Sequence, residues 1–166
     1  FMITGLYDEN EKMEVLDGST NVTSVCASSS HQYPLDIDWA TGALVGNKII
    51  VCGGGYPWTS SCYEFSHDHN WKILGEMNTK RSWSASIPIP NGLWVTGGYD
   101  GDKYLDSTEI VLSNGTILNG PPLPEPRYGH CLLQYKNTTF LIGGGYKNYQ
   151  STLLIGGYDG NDDQST

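Results

Sequence analysis

The sequence predicts an all-β fold assembled from repeated four-stranded antiparallel sheets, and three observations carry that expectation. Apolar runs that close on glycine recur along its 166 residues: MITGLY at 2–7, IIVCGGGY at 49–56, LWVTGGY at 93–99 and FLIGGGY at 140–146. Their first glycines, Gly5, Gly53, Gly97 and Gly143, stand 48, 44 and 46 residues apart, the mark of a repeat whose units are too small to bury an apolar face alone. Such strand exits account for the excess of glycine, 21 in a chain with only 16% charged residues, because a sharp exit from a strand favours a residue without a Cβ.

The order of elements within a unit is set by its two best copies. RSWSASIPIPNGLWVTGG and RYGHCLLQYKNTTFLIGG each run 16 residues from an arginine (Arg81, Arg127) to a glycine (Gly97, Gly143). Each reads as an alternating strand a, a turn at Asn91-Gly92 or Lys136-Asn137, and a second strand b. A polar loop follows the glycines, then a third strand c such as STEIVL at 107–112, a turn at Ser113-Asn114-Gly115 and a weaker strand d. Four short strands in about 45 residues is the proportion of a β-propeller blade. The units run roughly 1–37, 38–81, 82–127 and 128–166. Propellers typically take about four to eight blades, so the three to four represented here form an incomplete ring that a further chain segment or a larger assembly would complete.

Two frames describe the last unit. Gly156-Gly157 follows Gly143 by only 13 residues. In the preferred frame TLLIGGYDG is another strand b, with about 30 residues omitted near 147–152. In the other, STLLI is a third strand comparable to STEIV. The opening FMITGLYDEN has neither a basic nor an apolar leader region and reads as the interior of a longer chain.

The run from Arg81 to Arg127 resembles a complete kelch repeat: a starting Arg, a strand pair ending in Gly97-Gly98-Tyr99, a third strand with Glu109, a closing segment and the next Arg. The unit before it fits through Gly53-Gly54-Gly55, Tyr63, Trp71, Met77 and Arg81. The family usually has Trp where this chain has Ile117, and the first unit has Leu6 in place of its second glycine. The resemblance covers roughly residues 1–146 and implies a propeller that binds through one face.

Alternating strand direction assigns loops to faces. The b–c loops and d–a junctions emerge on one face and the a–b and c–d turns on the other. The first face collects Arg81, Arg127, Tyr56, Trp58, Tyr99, Asp100 and Tyr146, aromatic and charged groups of the kind that dominate interface energetics and the expected ligand contacts. The competing expectation is that the arginines and tyrosines only satisfy contacts between blades. Three N-x-[ST] sequons, at Asn21, Asn114 and Asn137, all fall on the opposite face and are expected glycosylation sites.

Nine basic against eighteen acidic residues give a net charge of −9, which disfavours nucleic acid and anionic membrane surfaces, and no run approaches the apolar length of a membrane span. Four cysteines allow three pairings. Cys52 closes a strand b and Cys62 opens the following strand c, which favours a Cys52–Cys62 disulfide pinning the loop between them. The alternative is a pair of buried thiols, and Cys26 and Cys131 have no evident mutual partner.

Catalytic and metal patterns are weak. His67-Asp68-His69 sits in an expected c–d turn without a third zinc ligand at suitable spacing. The Asp100, Asp102, Asp106 and Asp159, Asp162, Asp163 groups lack the calcium-loop pattern. His130 and Cys131 are adjacent on a strand and so point to opposite faces. Galactose oxidase is built on blades of this kind, and its copper set of two Tyr and two His has no counterpart in these b–c loops. The expectation is therefore a non-catalytic, extracellular, glycosylated binding or scaffold module without a cofactor, taking a protein or glycan that is neutral or basic where it docks. The alternatives are an intracellular substrate adaptor of a ubiquitin ligase, gripping an acidic segment through Arg81 and Arg127, and a galactose-oxidase-like copper enzyme.

Overall fold

A computed structural model describes residues 33–35, 38–66, 70–136 and 138–145, together with the backbone of 153–156. The described residues are all-β, in three antiparallel sheets. The first sheet holds β1 (Thr41–Val45), β2 (Lys48–Cys52), β3 (Ser61–Phe65) and β4 (Trp71–Glu76) in chain order. The second repeats that order with β5 (Ala85–Ile89), β6 (Gly92–Thr96), β7 (Thr108–Leu112) and β8 (Ile117–Gly120). The third has β9 (Tyr128–Tyr135), β10 (Thr138–Gly145) and β11 (Leu153–Gly156), ordered β11-β10-β9.

The hairpins follow from alternation and from residues that tolerate positive φ. Val45 pairs with Lys48 across Gly46 (φ 62°), Ile89 with Gly92 across Asn91 (φ 59°), and Tyr135 with Thr138 across Lys136 (φ 53°). In the second sheet the turn is Pro90-Asn91, one residue earlier than expected, and Gly92 begins β6. A Cβ there would stand 2.7 Å from the Val111 carbonyl oxygen, so this glycine serves the close approach of β7.

β11 pairs with β10 through Leu141↔Leu153, the place β7 holds against β6 through Val95↔Glu109. That pairing is the one expected of the third-strand frame for STLLI. The expected first unit, 1–37, falls almost wholly outside the described residues.

The second sheet is buried on both sides, so β6 shows no polar alternation and is buried at all five positions. Successive side chains still point to opposite faces. Leu93, Val95 and Val111 face the first sheet, where they pack with Val45, Ile50, Cys52, Cys62 and Met77. Trp94 and Ile110 face the other way and pack with Ile87, with Leu132 of the third sheet against them. Each aliphatic side chain buried in these seams contributes about 1.5–3 kcal/mol. The Trp94 indole N–H donates to Thr108 Oγ1 at 3.0 Å, which satisfies the one polar group this large side chain buries.

Candidate functional site

The arginines come first, because they determine what the loop face can present. Arg81 is fully buried, and each of its five N–H donors finds an acceptor. Nε donates to Glu109 Oε1 (3.2 Å), Nη1 to the carbonyls of Gly97 (2.9 Å) and Ser107 (2.8 Å), and Nη2 to Ser107 Oγ (3.0 Å) and Glu109 Oε1 (2.9 Å). The Glu109 carboxylate also accepts from the N–H groups of Asn78 (2.6 Å) and Thr79 (3.0 Å). Burial pulls the Arg81 pKa below its ordinary value, and the hydrogen bond and charge of Glu109 oppose that pull.

Arg127, with 3% of its surface exposed, repeats the contact to the glycine carbonyl but takes the half-exposed Glu125, two residues back, as its acidic partner. Its Nη1 donates to the Gly143 carbonyl at 2.9 Å, and its Nη2 pairs with Glu125. The backbone of each arginine works on the unit before its own. The Arg81 carbonyl accepts from the N–H of Gly54 and the Arg127 carbonyl from that of Gly98, both at 2.7 Å. Gly53 and Gly97 have φ of 67° and 58°, and a Cβ on them would lie 2.3 and 2.4 Å from those carbonyl oxygens. Each arginine, at the junction of two units, therefore reaches the following unit by side chain and the preceding one by backbone. Expected as ligand contacts, Arg81 and Arg127 are instead buried joints, and neither guanidinium faces solvent.

With the arginines inside, the loop face is aromatic. Tyr56 and Trp58 of the first b–c loop meet at 5.6 Å between ring centroids, and Trp58 reaches Tyr99 of the second at 6.2 Å. Tyr99 lies 5.2 Å from Tyr104, which stacks on Tyr128 at 4.4 Å and 15°. Trp83 joins Tyr99 (6.1 Å), Tyr128 (5.9 Å) and Trp39 (4.7 Å). The result is a continuous aromatic ledge across all three sheets, with Tyr56 78% and Trp39 49% exposed.

Trp39 and Trp83, two residues before β1 and β5, match Gly129, the second residue of the longer β9, and all three have left-handed backbones, with φ of 56°, 52° and 61°. The conformation hands one hydrogen bond from unit to unit. The Trp83 N–H donates to the Trp39 carbonyl (3.2 Å) and the Gly129 N–H to the Trp83 carbonyl (2.8 Å). For tryptophan that backbone costs about 1–2 kcal/mol, and for glycine almost nothing.

Asp100 caps the second b–c loop. Its Oδ1 accepts from the N–H groups of Asp102 (2.9 Å) and Lys103 (2.8 Å). Partial burial raises its carboxyl pKa, but those backbone donors and the Lys103 charge outweigh it, so the group sits below its ordinary value. The Trp58 indole lies flat against Gly101 of the same loop, 3.3 Å from where a Cβ would stand.

His130 lies between the second and third sheets, not on the ledge. Its Nε2 is 2.7 Å from Thr96 Oγ1, and burial together with the Arg127 charge pushes its pKa down to about 4. Cys131, next to it, is exposed and free, as expected of adjacent strand positions. Among the described residues no group of three His, Cys, Asp or Glu converges as a metal site would require, and no helix is long and apolar enough to cross a membrane.

Cys52 and Cys62 are directly opposite one another on β2 and β3 and form a disulfide, Cα to Cα 4.1 Å, fully buried in the seam between the first two sheets. Asn114 stands exposed in the β7–β8 turn, where its Oδ1 accepts from the Thr116 N–H at 3.0 Å. Asn21, Asn137, Tyr146, Cys26 and His67-Asp68-His69 lie outside the described residues, as do Asp159, Asp162 and Asp163. The sequence reading missed Trp39, Trp83, Tyr104 and Tyr128. The 44-residue step between Trp39 and Trp83, equal to that between Gly53 and Gly97, was the signal that could have found the first two.

No family model matches the chain. Curated proteins do. Spermatocyte protein spe-26 of Caenorhabditis elegans is 32% identical over 77 residues, covering 46% of this chain and 14% of that protein. Kelch domain-containing protein 10 of Xenopus tropicalis is 30% identical over 126 residues, covering 67% of this chain and 30% of that protein. Kelch-like protein 25 of the same frog is 29% identical over 98 residues, covering 58% and 16%. The chain thus spans less than a third of the length of each of these relatives.

Proposed function

Since the chain belongs to the kelch-repeat β-propeller family as a partial propeller, we propose that it is a non-catalytic, extracellular and glycosylated binding module whose aromatic ledge docks a protein partner. One observation carries the docking reading. The arginines of the repeat are spent on joints, while the rings around them, from Tyr56 to Trp39, are gathered on one face and stand partly in water. Exposed, contiguous aromatic surface of that kind is what protein interfaces use as anchors.

The extracellular reading is supported by the buried Cys52–Cys62 disulfide, of a kind that persists in oxidising compartments. It is supported also by Asn114, exposed in its turn on the face opposite the ledge, where a glycan would leave docking unobstructed. Hydrogen exchange on the complex captured from its native source tests the first part, with protection expected in segments 38–40, 56–58, 82–84 and 99–104. Protection confined to the β4 and β8 edges would overturn it. Intact mass of the native protein tests the second: a hexose-bearing Asn114 and a Cys52–Cys62 linkage are expected, whereas a bare asparagine and free thiols would assign the chain to a reducing compartment.

A further inference from the structure

Resting on that docking reading, we infer that the ledge recognises a basic peptide segment, whose arginine or lysine side chains lie over the faces of Trp39 and Tyr56 and pair with the carboxylates beside them. Three observations converge on this occupant. First, the carboxylates Asp38, Asp100, Asp102 and Asp106 belong to the loops and junctions around the ledge, whereas Glu125 beside them is paired with Arg127. The only exposed cations of those same described segments are Lys80 and Lys103, within a chain of net charge −9. Second, Asp100 is held in its ionised form by two backbone N–H groups, so the rim keeps its negative charge across the neutral range. Third, Arg81 and Arg127 are buried, so the face presents no guanidinium with which to hold an acidic segment.

The tryptophans supply the second half of the recognition. At the matching place in the third unit Gly129 meets the same backbone requirement without strain, yet the first two units keep Trp39 and Trp83 in the left-handed region. A strained conformation retained at a surface position indicates use of the side chain it carries. Two indoles 4.7 Å apart, one of them half in water, offer π faces to a cation, and neighbouring carboxylates strengthen that attraction. An acidic segment would be repelled by the same rim.

Fluorescence anisotropy of a labelled arginine-rich peptide on the full-length protein tests the inference, with charge-reversed, proline-rich and oligosaccharide probes alongside. The arginine-rich peptide is expected to bind with an affinity that falls as salt rises. Trp39→Ala should weaken it about tenfold and Asp100→Asn several-fold. Trp39→Gly, which removes the indole and relieves the backbone, should weaken binding as much as Trp39→Ala, so misfolding cannot explain the loss. Unchanged binding in Trp39→Gly, no binding of the basic peptide, or preferential salt-insensitive binding of the proline-rich or sugar probe would each overturn the inference. Hydrogen exchange separates its failure from that of the docking reading. A native partner that covers the ledge through a segment without basic residues sinks only the basic-peptide inference, and a partner that leaves the ledge uncovered sinks both.

Discussion

Arg81 and Glu109 lie buried against one another, Nη2 to Oε1 2.9 Å, with side-chain exposures of 0% and 2%, although 28 residues separate them in sequence. Removing one member of such a pair leaves the other charged and unmatched in a water-excluded site, a loss of about 3–5 kcal/mol. Glu109→Ala should therefore lower the urea midpoint sharply. Arg81→Lys should do so by about 2 kcal/mol or more, because three donors cannot replace five hydrogen bonds. A wild-type midpoint in Arg81→Lys would refute the view that the guanidinium fork holds the joint.

The glycines at the strand exits have the same backbone sign but different surroundings. Gly143→Ala places a Cβ at φ 72° with none of the described residues within 4 Å, and should cost about 1–2 kcal/mol. Gly97→Ala adds to that strain a contact of 2.4 Å with the Arg127 carbonyl oxygen, and should at least double the loss. Equal melting temperatures for the two variants would show that the approach of the following unit is not what this glycine serves.

At Trp39 the backbone and the side chain can be separated by stability alone. Trp39→Gly and Trp39→Ala both remove the indole, yet only glycine accepts φ 56° freely. The glycine variant should be the more stable of the two by about 1 kcal/mol, read as the difference in denaturant midpoint. An alanine variant as stable as the glycine one would remove backbone strain from the account.

Cys52 and Cys62 close a loop with a sequence separation of 10, for which chain entropy gives about 3 kcal/mol of stabilisation. The double variant Cys52→Ala, Cys62→Ala should lose about that much. In the folded wild type Cys131 should react with a thiol reagent, while the buried Cys52–Cys62 pair resists a mild reductant until the protein unfolds. Rapid reduction of the pair under native conditions would contradict its placement in the seam.

His130 predicts a pH dependence of known sign. Its folded pKa, about 4, lies below the ordinary value of 6.5, so between those limits the unfolded chain takes up a proton that the folded one refuses. Stability is then complete above about pH 6.5, falls as the pH drops towards 4 by about 3 kcal/mol from this group, and falls no further through it below that. Denaturation curves across this window should be steeper for the wild type than for His130→Gln, and parallel curves would contradict the assignment.

Much of this architecture was legible in the sequence. Alternation and turn residues locate the β5–β6 and β9–β10 hairpins because each is specified by neighbours a few residues away. The Cys52–Cys62 bridge was legible for the same reason: once the strands are placed, the two residues are opposite one another. What the sequence concealed depends on distant partners. An arginine at the start of a repeat looks like a surface cation until Glu109 is brought against it. Likewise, Trp39, Trp83, Tyr104 and Tyr128 join one ledge only after the three sheets are placed side by side.

The arginine joint also has a polarity. Gly54 receives the carbonyl of Arg81 and Gly98 that of Arg127, so at both described joints the earlier unit offers a socket forwards and the later one a plug backwards. Contacts of this heterologous kind do not fix the number of parts; the rotation at each joint determines whether the series returns on itself or continues. Gly143, at φ 72° and with its carbonyl accepting from Arg127 Nη1 as that of Gly97 accepts from Arg81 Nη1, repeats the build of Gly97. A change at one of these joints would thus turn everything that follows it by the angle introduced there, and leave the other joint as it was.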